Sequence, residues 1–196
     1  ALYSYAHLPE RFKAQRLIKT DDLPSDEEKL SLLTHAINSF KKAGYVYIGM
    51  DHFALPSDPL YQAQENGELQ RNFQGYSTHK GCDIIGLGCS AISSVGDVYA
   101  QNSTNLTEYQ YRVTGGMLAT QAGIKLGAED KIRRDLIMQL MCSNTINLKD
   151  FSRKHNIDFK HYFAAELEQL KPLLQQNLLE INNHEIKITS NGRYFL

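Results

Sequence analysis

Ser25 and Glu28, three residues apart and just after Pro24, form a helix-opening capping box. Leu30, Leu33, Ile37 and Phe40 then recur at helical spacing, and Gly44 stands where a C-terminal cap belongs. Tyr45–Met50 follows at once as a β-branched and aromatic run, predicting a strand. Helix, glycine, strand is half of a βαβ unit, so the first part of the chain is expected to be an α/β layer. Composition agrees. With 196 residues, 42% hydrophobic content and a net charge of −1, the chain can bury a core. It lacks the low hydrophobicity and high charge of a disordered segment. No apolar run reaches the roughly 18 residues of a membrane span. Near-neutral charge also argues against a sequence-independent grip on nucleic acid.

Further along, Leu2–Ala6 is β-prone and is broken by His7-Leu8-Pro9, predicting a strand and then a loop. Ser57-Asp58-Pro59 opens a short helix that Gly67 closes. Between Leu69 and Gly88 a hairpin or loop is expected, leading into a buried strand at Ile84-Ile85-Gly86-Leu87-Gly88. Gly86, Gly88 and Gly96 frame a glycine-rich turn whose spacing is not a dinucleotide fingerprint. A tight turn is the first reading of it and a phosphate cradle the second. Helices are predicted near Asn105–Val113, over Ala128–Cys142, over Leu148–His155 and over Phe159–Leu170. Leu178–Ile181 and Glu185–Ile188 flank Asn182-Asn183-His184 as a hairpin. The last three helices and the hairpin read as a winged-helix-like module. Residues 128–196 carry ten Lys or Arg against nine Asp or Glu, and Glu166 and Glu168 sit on the would-be recognition helix. Such a face is too acidic to read a DNA groove.

Candidate chemistry gathers in three places. His7 and His52 each stand beside a predicted strand end, where ligand crevices form in α/β folds. Asp51-His52 is a possible acid–imidazole pair, but neighbours on a strand point to opposite faces, so convergence needs a loop conformation. Arg71-Asn72-Phe73-Gln74-Gly75-Tyr76 combines an amide with flat aromatic faces, which suits a heteroaromatic ligand. Cys82, Cys89 and Cys142 are odd in number and widely spaced, as free thiols of a cytoplasmic protein would be, and supply no expected metal site.

Four motifs occur together and in order: Tyr5-Ala6-His7-Leu8-Pro9, Gly49-Met50-Asp51-His52-Phe53-Ala54, Arg71–Tyr76 and Gly88-Cys89-Ser90-Ala91-Ile92-Ser93. With Ile132-Arg133-Arg134-Asp135 and Thr189-Ser190-Asn191-Gly192-Arg193, the chain resembles the oxygen-independent coproporphyrinogen III oxidases over essentially its whole length. The resemblance implies a radical S-adenosylmethionine oxidoreductase of haem biosynthesis. A [4Fe-4S] cluster and two S-adenosylmethionine molecules would generate a 5′-deoxyadenosyl radical, and coproporphyrinogen III would lose two propionate carboxyls to become protoporphyrinogen IX. It further implies an external electron donor, a monomeric parent, and a barrel-like catalytic domain with a smaller helical domain behind it.

Residue by residue, the resemblance assigns Ala6 and Ile92 to the cluster-bound S-adenosylmethionine. Ala6 also borders the second molecule, where Gln74 and Phe73 stand, and Tyr5 joins the cofactor-binding set. His7, His52 and Arg71 are substrate-cavity candidates, with the Arg71 fork matched to a propionate. No residue is assigned a catalytic role. The family's cluster motif, C-x(3)-C-x(2)-C, is absent. The chain is therefore expected to be a C-terminal portion, inactive alone. Residues 1–127 are read as the last part of a partial TIM-like barrel, and 128–196 as a winged-helix-like domain, making the chain α+β within an α/β enzyme. The alternative is a haem-chaperone-like binding protein of the same architecture. Its His-Asn-x-x-Tyr-Trp motif would fall at Arg71–Tyr76, where arginine replaces the histidine, and the chain has no tryptophan.

Overall fold

The computed structural model describes residues 1–195 and divides the chain into two compact units, Ala1–Asn66 and the part from Gly67 onward. In the first unit, two 3-10 turns, Lys13–Leu17 and Thr20–Asp22, precede α1, Asp26–Lys42. The predicted capping box is formed. The Glu28 N–H donates to Ser25 Oγ at 3.2 Å, and the Ser25 N–H donates to Glu28 Oε2 at 2.8 Å. After Gly44 the chain enters β1, Val46–Gly49, which turns back antiparallel as β2, His52–Ala54, before α2, Pro59–Glu65. Asp58 caps α2 by accepting from the Leu60 N–H at 2.8 Å. Ile37, Tyr47, Ile48, Ala54 and Ala63 are buried, with Phe53 stacked between Phe40 and Tyr47 at 4.6 and 5.1 Å. α1 and β1 follow one another as in half a βαβ unit, but the partner of β1 among the described residues is the antiparallel β2.

The second unit opens with a hairpin, β3, Gln70–Asn72, and β4, Gly75–Ser77. β5, Ile92–Val95, and β6, Val98–Asn102, form a second hairpin. After α3, Leu106–Thr114, the strand β7, Thr120–Lys125, joins them in the order β5-β6-β7. α4, Ala128–Ser143, leads through β8, Thr145–Asn147, to α5, Leu148–His155. Three short helices follow: α6, Phe159–Tyr162, α7, Ala164–Gln169, and α8, Lys171–Gln175. β9, Leu179–Ile181, and β10, Glu185–Ile188, make the predicted hairpin and take β8 as a third strand, in the order β8-β10-β9. A 3-10 turn, Gly192–Tyr194, closes the described chain. Ile146, Leu148, Phe151, Phe159, Phe163 and Ile186 are the core here, covered by Ile132, Leu136 and Leu140 of α4.

Three expectations are corrected. Leu2–Ala6 is not a strand: its link to β-structure is one hydrogen bond, Leu2 N–H to the Asp51 carbonyl at 2.8 Å, and a strand needs a ladder. Ile84–Gly88 is not a buried strand. Ile84 makes an isolated bridge to Ser94, while Ile85 and Leu87 are 75% and 87% exposed. The glycines interrupt pairing, and Gly86 lies so close to the sheet that a Cβ would stand 2.8 Å from the Ile92 carbonyl oxygen. Phe159–Leu170 is two helices rather than one. The chain breaks at Phe163, whose ring is drawn into the core against Phe159 and Tyr162. Pro172 then sits in the first turn of α8, where its missing N–H costs nothing.

α4 and α5 are tied together by charge. Asp135 accepts from Lys154 Nζ at 2.8 Å and stands 2.6 Å from His155 Nε2. Burial pushes the Asp135 carboxyl up, but Lys154 and His155 outweigh it and hold the group below the ordinary carboxylate value of 3.8. A lowered folded-state pKa contributes stability above the unfolded value, and that stability is lost as pH falls through the folded value. Thermal midpoints below pH 3.8 are therefore expected to fall less steeply in Asp135→Asn than in the wild type. Identical acid limbs would contradict the tie. Among the described residues no helix is long and apolar enough to cross a membrane.

Candidate functional site

The predicted site residues fall on both units, and each unit has its own cluster. In the first, the segment Tyr5–Pro9 is irregular but held. Gln15 grips it twice: Oε1 accepts from the Leu8 N–H at 2.5 Å, and Nε2 donates to the Ala6 carbonyl at 3.1 Å. Arg16 Nε donates to the Pro9 carbonyl at 3.0 Å. Gln15 is a positioning residue that sequence reasoning missed, because no spacing links it to Ala6. Tyr5 and His7 meet directly, with the hydroxyl 3.1 Å from Nδ1.

The loop conformation needed to bring Asp51 and His52 together is present. Met50 takes φ +48, unusual for an unbranched apolar residue, and the β1–β2 register shifts between Tyr47 and Gly49. Tyr47 pins the turn by donating its hydroxyl to the Met50 carbonyl at 2.7 Å. Asp51 Oδ1 then stands 2.6 Å from His52 Nδ1, with both side chains largely buried. Burial pushes the Asp51 carboxyl up. Hydrogen bonds from His52 and Tyr3 and the His52 charge more than offset it, so the group lies below its ordinary value. The pair is an ionised carboxylate holding an imidazole, an arrangement able to orient a proton-bearing ring.

In the second unit the motif Arg71–Tyr76 is the β3–β4 hairpin itself, with Phe73 and Gln74 at its two-residue tip. Asn72 braces the tip by accepting the Gln74 N–H at 2.8 Å. The Gln74 side chain makes no hydrogen bond among the described residues, and Phe73 is 61% exposed. Phe73 packs edge-on against Tyr99 of β6 at 5.5 Å. In the β5–β6 ladder Tyr99 pairs with Ser94 and Gln101 with Ile92. Residues two apart share a sheet face, so Ile92 lies on the same face as the Tyr99 ring that receives Phe73. Phe73 and Ile92, far apart in sequence, are thus gathered at one face, with Gln74 beside Phe73 at the hairpin tip.

Ile92 is fixed by the glycine-rich turn before it. Asn102 Nδ2 donates to the carbonyls of Gly86 and Gly88 at 3.1 and 3.0 Å, and the Tyr109 hydroxyl accepts from the Gly88 N–H at 3.0 Å. Ser103, fully buried, donates to Glu108 Oε2 at 3.0 Å. These bonds spend the turn's polar groups on the protein's own fold, as the tight-turn reading expects. Arg71 lies opposite Tyr76 in the hairpin, its guanidinium 4.7 Å above the ring. Tyr76 is held by its hydroxyl, which donates to the Met141 carbonyl of α4 at 2.9 Å.

The cysteines do not fit an iron–sulfur cluster. Cys82 is exposed, Cys89 donates its thiol to the Ser103 carbonyl, and Cys142 is buried. Burial pushes the Cys142 thiol up to about 11, against the pull of the Arg71 and Lys80 charges, so it is protonated at neutral pH. Among the described residues no three His, Cys, Asp or Glu side chains stand close enough to hold a metal ion.

Residues 126–195 match the family model described as the HemN C-terminal domain. The whole chain is similar to proteins named oxygen-independent coproporphyrinogen III oxidase. It is 47% identical to the Pseudomonas aeruginosa protein over 193 residues, covering 98% of this chain and 42% of that protein. The chain is a homologue of the oxygen-independent coproporphyrinogen III oxidases. The Escherichia coli protein of that name is 42% identical over 196 residues, all of this chain and 43% of that one. The Thermostichus vulcanus protein is 39% identical and is covered to 61%. A solved structure, described as the coproporphyrinogen III oxidase HemN of Escherichia coli, a radical SAM enzyme, superposes with a TM-score of 0.91. It is 43% identical, and the match covers 97% of this chain and 44% of that one. The chain therefore spans less than half the length of the first two relatives and of the solved oxidase.

Proposed function

We propose that residues 1–196 belong to an oxygen-independent coproporphyrinogen III oxidase and supply part of the wall that binds its cofactor and substrate. The likeness to the solved oxidase, at a TM-score of 0.91 across 97% of the chain, carries this reading. The local geometry supports it. Phe73 offers an exposed aromatic face, Gln74 an amide free to donate and accept, and Ile92 apolar contact on the same sheet face. That set fits a ligand that is part nucleoside and part amino acid, which is the chemistry of S-adenosylmethionine. Ala6, with no side chain beyond Cβ and its carbonyl fixed by Gln15, lets backbone approach such a ligand. Within the first unit, Tyr5 is assigned to cofactor binding, and His7 and His52, the latter paired with Asp51, to the substrate cavity.

In this reading the [4Fe-4S] cluster is held outside residues 1–196, since the cysteines here do not fit it. When bound, S-adenosylmethionine supplies the radical that takes a hydrogen atom from each of two propionates. Each substrate radical would then lose carbon dioxide and pass one electron to an external one-electron acceptor, leaving a vinyl group. The reading calls for an external electron donor to the cluster and for two S-adenosylmethionine molecules per porphyrinogen. Residues 128–196 are assigned as a separate C-terminal domain, consistent with their own aromatic core and the family match over 126–195. Anaerobic turnover of coproporphyrinogen III by the holoenzyme carrying this chain is the test. Two 5′-deoxyadenosine molecules are expected per divinyl product. Absence of both products from enzyme with a full cluster would reject the assignment.

A further inference from the structure

Arg71 carries a charge that the described protein does not neutralise. Its backbone N–H points to Met138 Sδ at 3.3 Å, and its guanidinium lies over the Tyr76 ring. Among the described residues no carboxylate pairs with that guanidinium, and Nη1 is buried without a hydrogen-bond partner. Four acids of this unit are paired with other cations. Asp97 pairs with Lys131 and Arg134, Glu108 with Arg112, Asp135 with Lys154, and Glu166 with Arg133. Cys142, close enough to feel both Arg71 and Lys80, is protonated at neutral pH and offers no negative charge. Leaving a guanidinium nitrogen such as Nη1 buried without an acceptor is costly, and an arriving anion would relieve that cost. The Tyr76 ring stacks 4.7 Å from the guanidinium carbon, and the side chain as a whole retains exposed surface through which a ligand can approach.

We infer that the Arg71 guanidinium is the docking point for a ligand carboxylate. This rests on the proposed function, under which two ligands present that group: the propionates of the porphyrinogen and the methionyl end of S-adenosylmethionine. Fork-to-carboxylate pairing is bidentate and charge-assisted, and loss of one such contact costs a binding preference of about 10- to 100-fold. Lys80, whose Nζ donates to the Gly67 carbonyl at 2.8 Å, adds positive potential without a fork.

The experiment compares ligands with and without the carboxylate on the holoenzyme and on Arg71→Gln. One arm sets coproporphyrin III against its tetramethyl ester, and the other sets S-adenosylmethionine against its decarboxylated form. The preference for the acid is expected to fall at least about 10-fold in the variant in one arm, which names the ligand. Preferences within threefold of the wild type in both arms would overturn the inference. Should Arg71→Gln fail to fold, Arg71→Leu keeps an apolar stem over Tyr76 and reads the same ratio. Unchanged ratios in an enzyme that makes divinyl product would reject the carboxylate dock alone. Failure to form 5′-deoxyadenosine would instead reject the functional assignment.

Discussion

Replacing Gly192 with alanine is expected to destabilise the second unit by about 4 kcal/mol or more, at the extreme of what single substitutions do. Gly192 stands in the tail motif Thr189–Arg193, and a Cβ there would overlap the Leu178 carbonyl oxygen and lie 2.8 Å from the Leu178 carbonyl carbon. Neither neighbour is a flexible tip. The Leu178 carbonyl is held by the Thr189 N–H and hydroxyl, both at 3.1 Å, and Thr189 Oγ1 accepts from the Gly192 N–H at 3.0 Å. Relief therefore requires the backbone at the start of β9 to move, and with it the β8-β10-β9 sheet. Urea denaturation of the wild type and Gly192→Ala measures the cost. A loss under about 1 kcal/mol would show that the turn gives way easily and that the motif is not a packing device.

Phe151→Ala comes next, with an expected loss of about 3–5 kcal/mol from the large cavity it leaves. The ring is 1% exposed and touches Phe159 edge-on at 5.4 Å, Phe163 at 6.3 Å and His155 at 4.5 Å. Set against the roughly 5–15 kcal/mol that holds a typical domain together, such a loss is severe. Its consequence reaches the candidate site. Leu136 and Leu140 of α4 rest on this core, and α4 also presents Met138 and Met141 to the hairpin that carries Arg71 and Tyr76. Loosening the core should therefore weaken ligand binding at Arg71 as well as stability. Chemical denaturation checks the first effect, and the acid-over-ester ratio of the variant checks the second. A ratio equal to the wild type in folded Phe151→Ala would separate core from site.

Helices were legible where caps and period coincide. Ser25 and Glu28 made the predicted capping box, helices begin at Asp58-Pro59 and Asn105 as expected, and Leu148–His155 has the predicted bounds. Short strands were not. β5, β6, β7 and β8 escaped because Ser94, Gln101, Gln121 and Asn147 dilute any alternation, and their pairing is fixed only by partners elsewhere in the chain. Aromatic packing at Phe163 overrode a continuous helical pattern for the same reason. At the candidate site, the motifs single out residues, but their geometry is set by tertiary contacts. Nothing in the order Gly49-Met50-Asp51-His52 announces that Met50 adopts φ +48 and lets neighbouring side chains converge. Gln15's grip on Ala6 and Leu8 is likewise a tertiary fact.

Under the proposed function, this chain helps an enzyme take hydrogen from the propionates of coproporphyrinogen III. The direct measurement follows that hydrogen. Coproporphyrinogen III deuterated on its propionate methylene carbons, given anaerobically with S-adenosylmethionine and reductant to the holoenzyme carrying residues 1–196, should yield 5′-deoxyadenosine containing deuterium alongside divinyl product. Divinyl product accompanied by unlabelled 5′-deoxyadenosine would rule out that hydrogen transfer. So would tight haem binding with no cleavage of S-adenosylmethionine at all.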